Sequence, residues 1–250
     1  EDEDVSAAIK EILENEGINI HLNAECIGVE RQDDKIAMNL NCDSDEKITG
    51  SHLLLAVGRI PNTSDLGLEK AGIDVDEHGY IRVDGQLCTS VEGVYALGDC
   101  NGHGAFTHTA YNDYEIVAAT LLDNDPRRLS DRITAYALYI DPPLGRCGMS
   151  EAEVRKSGRK ALCAKRPMER VGRAFEKGET QGFMKILVDA DTKEILGASL
   201  LGIECDEVIH TILDVMYAKK PYTLIQRAMH IHPTVSELLP TMLGELKPFV

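Results

Sequence analysis

Two short apolar runs constrain this chain most. Residues 52–57 are a continuous apolar run that stops at Gly58, and residues 91–97, which include Glu92, read as a second buried strand that stops at Gly98. Such a run without polar alternation predicts a strand buried on both faces, as in a sheet covered by helices. The second run ends in Gly98-Asp99, then passes through the loop Gly102-His103-Gly104 into a helix predicted over 107–122. A buried strand, a glycine turn and a helix, in that order, are how an open α/β sheet presents a ligand site at the carboxyl end of its strands.

The rest of the chain divides by pattern. Val5, Ala8, Ile9, Ile12 and Leu13 form one helical face over 4–16, with Gly17 as the stop. Residues 18–22 alternate as a short strand, and 25–31 and 35–41 flank Gln32-Asp33-Asp34 as a hairpin. Asp76-Glu77-His78-Gly79 predicts a turn between two extended pieces. From Arg132 onward, strands are predicted at 133–140, 160–168, 182–190 and 195–201. Ser150 and Glu153 form a capping box opening a helix that Gly158 ends. A helix over 204–219 is broken by Pro221, and helices over 223–229 and 234–246 bracket His230-Ile231-His232-Pro233. The expected fold class is α/β for residues 1–126 and α+β, an antiparallel sheet with helices, for 127–250.

Composition narrows the function. The chain is 43% hydrophobic and 27% charged, the profile of a globular protein. No apolar run approaches the ~20 residues that span a bilayer, so no membrane span is expected. Net charge is −16, with 7 Lys and Arg against 26 Asp and Glu in residues 1–126 and 19 against 16 in 127–250. Such acidity repels phosphate backbones, and no nucleic-acid partner is expected. The 7 cysteines (26, 42, 88, 100, 147, 163 and 205) include no CxxC or CxxxxC, so neither a zinc knuckle nor a local redox pair is encoded and no metal site is expected. The opening Glu1-Asp2-Glu3-Asp4 is neither a start methionine nor a signal peptide. A trimmed chain with reduced thiols in a cytoplasmic setting is the corresponding expectation.

Three places carry candidate chemistry. Asp99 ends a buried run and can accept hydrogen bonds from sugar-like hydroxyls, while the start of the next helix, at Thr107 and His108, offers backbone N–H groups. Alone, a strand-end Asp is more often a turn or capping residue. Gly58 lets a ligand approach the backbone, and Arg59 can meet a phosphate or carboxylate; a tight turn with a surface Arg is the plainer reading. His232 next to Pro233, with Glu237 five residues on, makes a general acid/base pair. Thr234 to Glu237 is also a capping box, which by itself accounts for Glu237.

In order along the chain, these segments resemble the C-terminal half of the flavoprotein pyridine nucleotide-disulfide oxidoreductases, the family of dihydrolipoamide dehydrogenase, glutathione reductase and mercuric reductase. Leu54-Leu55-Ala56-Val57-Gly58-Arg59-Ile60-Pro61-Asn62-Thr63 is similar to the end of the family's NAD(P)-binding domain. Val94-Tyr95-Ala96-Leu97-Gly98-Asp99 is similar to its second FAD motif, and Gly182-Phe183-Met184-Lys185-Ile186 and Ile195-Leu196-Gly197-Ala198 to its dimerisation strands. His230 to Glu237 is similar to its terminal active-site signature.

The resemblance implies residues 1–76 as the end of the NAD(P)-binding domain, 77–126 as the end of the FAD-binding domain and 127–250 as the dimerisation domain. It implies FAD and NAD or NADP as cofactors, Gly98 and Asp99 at the ribityl chain, and Thr107 and His108 at the flavin's pyrimidine edge. His232, oriented by Glu237, is the implied acid/base serving the partner subunit's flavin in a homodimer that reduces a disulfide substrate. The family's GxGxxG motifs and its CxxxxC pair have no counterpart in this sequence. The chain is therefore expected to be the latter half of a longer protein and inactive alone. The alternatives are a non-catalytic dimerisation module and a metal-ion reductase on the same scaffold.

Overall fold

The computed structural model describes residues 1–24, 27–40 and 47–249. Cys26, Cys42 and the outer ends of the expected hairpin lie outside the described residues. The chain forms two compact units, one of residues 1–20 with 133–250 and one of residues 21–132. Together they are mixed helix and antiparallel sheet, in keeping with the expected class.

The first unit opens with α1, Glu3–Asn15. Its sheet takes the strands β4 (Ala135–Leu138), β5 (Leu144–Gly148), β6 (Ala161–Pro167), β7 (Phe183–Asp189), β8 (Ile195–Leu201) and β9 (Lys247–Phe249) in the order β4-β5-β8-β7-β6-β9, antiparallel throughout. Every residue of β7 and β8 is buried, because both faces of the sheet are covered. The alternation in Phe-Met-Lys-Ile-Leu-Val-Asp divides the two faces. Met184, Ile186 and Val188 join the main core with Val208, Ile209, Ile212 and Val215 of the helix α6, Cys205–Tyr217. Each such side chain adds roughly 1.5–3 kcal/mol on burial. Phe183 packs with Val5 and Ile12 of α1, and Leu187 with Val154 of α4, Glu151–Ser157.

Between Phe183 and Leu187, on that second face, stands Lys185. Its ammonium lies 2.9, 2.6 and 2.7 Å from carboxylate oxygens of Asp2, Asp4 and Glu151. Those oxygens lie within 4.8 Å of one another, close enough for a shared cation, and the ammonium fills that place. α6 approaches β5 so closely that a Cβ on Gly145 would stand 2.2 Å from the Cys205 carbonyl oxygen, so no larger residue fits there. The helices α5 (Gly172–Lys177), α7 (Thr223–Arg227) and α8 (Leu239–Leu243) complete the unit.

The second unit holds a three-stranded sheet, β1 (Gly28–Gln32), β2 (Lys35–Asn39) and β3 (Lys47–Gly50), in that order. Asp33 at φ +53 makes the tight turn between β1 and β2. A short helix α2 (Leu68–Ala71) and the long helix α3 (Thr107–Leu122) follow.

Several expected elements are corrected. Residues 18–22 form no strand, and Ile18 and Leu22 are exposed. Residues 52–57 are neither a strand nor buried, with Leu54 86% and Val57 92% exposed. A buried strand is a pairing with neighbours, and this run has no ladder partner among the described residues. Residues 91–97 form one arm of a loose hairpin, bridged at Cys88 and Tyr95, with Ala96 buried and Val94 exposed. The helix expected over 234–246 is shorter: a turn of 3-10 helix, Ser236–Leu238, runs into α8. Pro240, lacking an N–H, sits in the first turn of α8, where a helix tolerates it. β5, β9 and α5 carry no clear period in the sequence.

Candidate functional site

In the residue 21–132 unit, the run after Ala96 turns at once. Gly98 takes φ +78, a backbone that a residue with a Cβ rarely adopts, and opens the 3-10 turn Gly98–Asn101. Asp99 is the second residue of that turn, and its carboxylate is half exposed. Arg59 Nη1 donates to Asp99 Oδ2 at 2.7 Å, so two of the expected site residues meet directly.

They line a pocket of about 500 Å³. Its wall comes from Arg59, Ile60, Pro61 and Asn62, from Asp99, Cys100, Gly102, Gly104 and Ala105, and from Tyr80. Gly102, at φ +75, lies against the Tyr80 ring, where a Cβ would come within 3.0 Å of Cγ. The volume is in the range of small-molecule sites. Its donor and acceptor set suits a ligand with hydroxyls and phosphates: one carboxylate to accept, one guanidinium to donate. Gly58 has φ +135 and open space around it, but neither it nor Gly98, Thr107 or His108 lines the pocket wall. Thr107 and His108 open α3 next in the chain; Thr109 Oγ1 takes the Phe106 N–H at 3.2 Å, and the His108 ring stacks on Phe106.

The other expected pair lies in the C-terminal unit. His232 Nδ1 is 2.9 and 3.1 Å from the two oxygens of Glu237. A carboxylate accepts, so Nδ1 donates and Nε2 is left as the nitrogen that can exchange a proton. The His232 side chain is 79% exposed and that of Glu237 is mostly covered. Thr234 Oγ1 accepts from Glu237 N at 3.3 Å and donates to Ile231 O at 2.7 Å. The helix end is thus capped by Thr234, while the Glu237 side chain turns to the imidazole. Val235 and Leu239, both in the core, anchor this segment.

Sequence reasoning passed over Tyr80, Cys100 and Asn62 in the pocket wall, and Lys185 in the sheet. Tyr80 and Cys100 carry no motif in type or spacing, and Asn62 and Lys185 stand in stretches that resemble the family without a role implied for either. Only the chain's folding gathers Tyr80, Cys100 and Asn62 in one wall and brings the carboxylates to Lys185.

The class follows from comparison with known proteins. A family model for pyridine nucleotide-disulphide oxidoreductases matches residues 1–113, and one for the dimerisation domain of the same family matches residues 134–243. The chain belongs to the pyridine nucleotide-disulphide oxidoreductase family, whose members use FAD and NAD(P)H. Among particular proteins, it is 34% identical over 248 residues to the probable pyridine nucleotide-disulfide oxidoreductase RclA of Escherichia coli K12, covering 99% of this chain and 56% of that one. It is 32% identical over 239 residues to a dihydrolipoyl dehydrogenase of Thermus scotoductus, covering 94% of this chain and 51% of that one. The solved structure of the HOCl-induced flavoprotein disulfide reductase RclA from Escherichia coli matches with a TM-score of 0.91 at 34% identity, over 98% of this chain and 56% of that one. A Cu(II) complex of the same protein matches equally, with a TM-score of 0.91. The chain spans about half the length of the curated relatives it matches.

Proposed function

We propose that this chain supplies the flavin-anchoring and acid–base portions of an NAD(P)H-dependent disulfide reductase that works as a homodimer through residues 127–250. In this reading, residues 1–76 belong to the nucleotide-binding domain, 77–126 to the FAD-binding domain and 127–250 to the dimerisation domain, with the chain alone inactive. The reading includes a reducing, cytoplasmic setting, in which free thiols such as Cys88, Cys100 and Cys163 persist.

The observation that carries the proposal is the His232–Glu237 pair. Glu237 holds the imidazole by Nδ1, so Nε2 faces outward with a lone pair to take a thiol proton and return it. Asp99 accepts from ligand hydroxyls, Arg59 moves from Asp99 to a phosphate or stays as its counter-charge, and Thr107 and His108 present the start of α3 to an electron-rich ring edge. When bound, FAD carries electrons between the nicotinamide and a dithiol, which no close cysteine pair of this chain provides.

The test separates the two half-reactions in the flavin-loaded full protein. In His232→Ala, flavin reduction by NAD(P)H stays within about two-fold of wild type, while disulfide reduction falls by about 100-fold, within the range for a lost general acid/base. Equal losses in both would sink the proposal. A second reading, reduction of a metal ion on the same scaffold, is favoured by the Cu(II) complex of the Escherichia coli relative. Turnover of Cu(II) that survives His232→Ala, with no turnover of any disulfide, would select it.

A further inference from the structure

Asp113 lies in α3 and is 2% exposed. Its Oδ2 accepts from the Gly98 backbone N–H at 2.8 Å and from Asn101 Nδ2 at 2.8 Å. Its other oxygen takes Arg132 Nη2. Gly98 and Asn101 are the first and last residues of the 3-10 turn that carries Asp99. One carboxylate oxygen therefore grips that turn at both ends.

The surroundings stiffen the grip. Asn101 also donates to Ala96 O at 3.1 Å and accepts from His103 N at 2.8 Å. Arg132 donates to Asn112 Oδ1 at 2.8 Å, to Thr109 O at 3.3 Å and to His103 O at 3.4 Å. A carboxylate taken from water costs several kcal/mol unless its oxygens are matched by donors, and here each is matched. Helix capping does not require this arrangement, since Asp113 stands in the second turn of α3. What it fixes is the direction of the exposed side chain between the two gripped residues.

We infer that Asp113 is a positioning residue, which acts through the Gly98–Asn101 turn to aim the Asp99 carboxylate at the hydroxyls of a bound flavin nucleotide. This rests on the reading of Asp99 as the hydroxyl acceptor. Asp113 itself touches no ligand; it removes the freedom of the turn before binding, so that the Asp99 hydrogen bonds form without an ordering cost.

The experiment is a double-mutant cycle on FAD affinity. Apoprotein of the full chain is titrated with FAD, followed by flavin fluorescence quenching, for wild type, Asp99→Asn, Asp113→Asn and the double variant. Apoprotein melting is recorded beside each. Asp99→Asn is expected to weaken FAD by about 10- to 100-fold, the worth of a hydrogen bond to a charged group. Asp113→Asn is expected to weaken it comparably, and the double variant no more than either alone, because both remove the same interaction.

If Asp99→Asn leaves affinity unchanged, the reading of Asp99 fails. If Asp99→Asn weakens binding while Asp113→Asn does not, or if the two losses simply add, the positioning role fails and that reading stands. Should Asp113→Asn not fold, Asn101→Ala removes one grip and leaves Asp113 paired with Arg132. It is then expected to weaken FAD about 3- to 10-fold in the presence of Asp99 and not in its absence; no loss overturns the inference.

Discussion

Burial gives the cysteines of this chain different chemistry. Cys147 lies under α6 with no exposure, and burial pushes its thiol up to about 12 against a weaker pull from Arg146. Burial raises Cys205 further, with Asp206 and Glu204 adding to it. Cys100 is raised by burial first and by Asp113 and Asp99 nearby. Only the thiolate reacts, so a thiol held up in this way is inert near neutral pH. Alkylation with iodoacetamide at about pH 8 should leave Cys147 and Cys205 unmodified in the folded chain and reach them only in denaturant, as read by peptide mass mapping. Prompt labelling of Cys147 would contradict the packing of β5 under α6. His232 is the opposite case, an exposed imidazole held from behind, and the Asp113 grip on Asp99 works by the same logic: a mobile group at the surface, fixed by a covered carboxylate.

At the scale of elements, α1 is held to its sheet by two different forces. Val5 and Ile12 bury on the β7 face, and Asp2 and Asp4 close on Lys185. Burial pulls the Lys185 pKa down, but hydrogen bonds to Asp4, Glu151 and Asp2 outweigh it and the net shift is upward from 10.5. Burial likewise pulls Asp4 up, yet Lys165 and Lys185 bring it below 3.8. The signs set the pH window. The Lys185 contribution is fully present below 10.5 and fades as pH rises through its higher folded value. The Asp4 contribution is present above 3.8 and fades as pH falls through its lower folded value. Amide exchange in residues 3–15 should therefore stay protected from about pH 5 to about pH 9 and lose protection in stronger acid. Lys185→Met should cost about 3–5 kcal/mol in urea unfolding, because it leaves the buried Asp2 carboxylate without its cation. A cost below 1 kcal/mol would show that the apolar contacts alone hold α1.

At the scale of the molecule, two large apolar side chains stand exposed beside His232. Met229 is 98% exposed and Ile231 79% exposed, on either side of His230. Exposed apolar side chains of this size suit a contact with a second subunit in the proposed homodimer. The proposed homodimer should therefore dissociate when that surface is charged: Met229→Asp with Ile231→Asp should move the sedimentation of the full protein from a two-chain to a one-chain species. Retention of the dimer would place the interface elsewhere. No helix among the described residues is long and apolar enough to cross a membrane.

What the sequence determined by itself is local, and it follows from spacing. The helical face of α1, the glycine stop after α4 and the bounds of α3 and β8 are written in neighbouring residues, because caps and periodicity act within a turn or two. The His232–Glu237 contact was legible too, since the two residues are five apart on one anchored segment. Tertiary structure decided the rest. Residues 52–57 have the composition of a buried strand and are exposed, because burial belongs to a strand's neighbours and not to the strand. β5 and β9 exist through their partners in the sheet. Lys185 reads as a surface residue until Asp2, Asp4 and Glu151 converge on it, and Asp113 reads as one more helix acid until Gly98, Asn101 and Arg132 meet at its oxygens. A charge is stable in the interior only where distant donors or acceptors are brought to it, and one-dimensional spacing does not record that convergence.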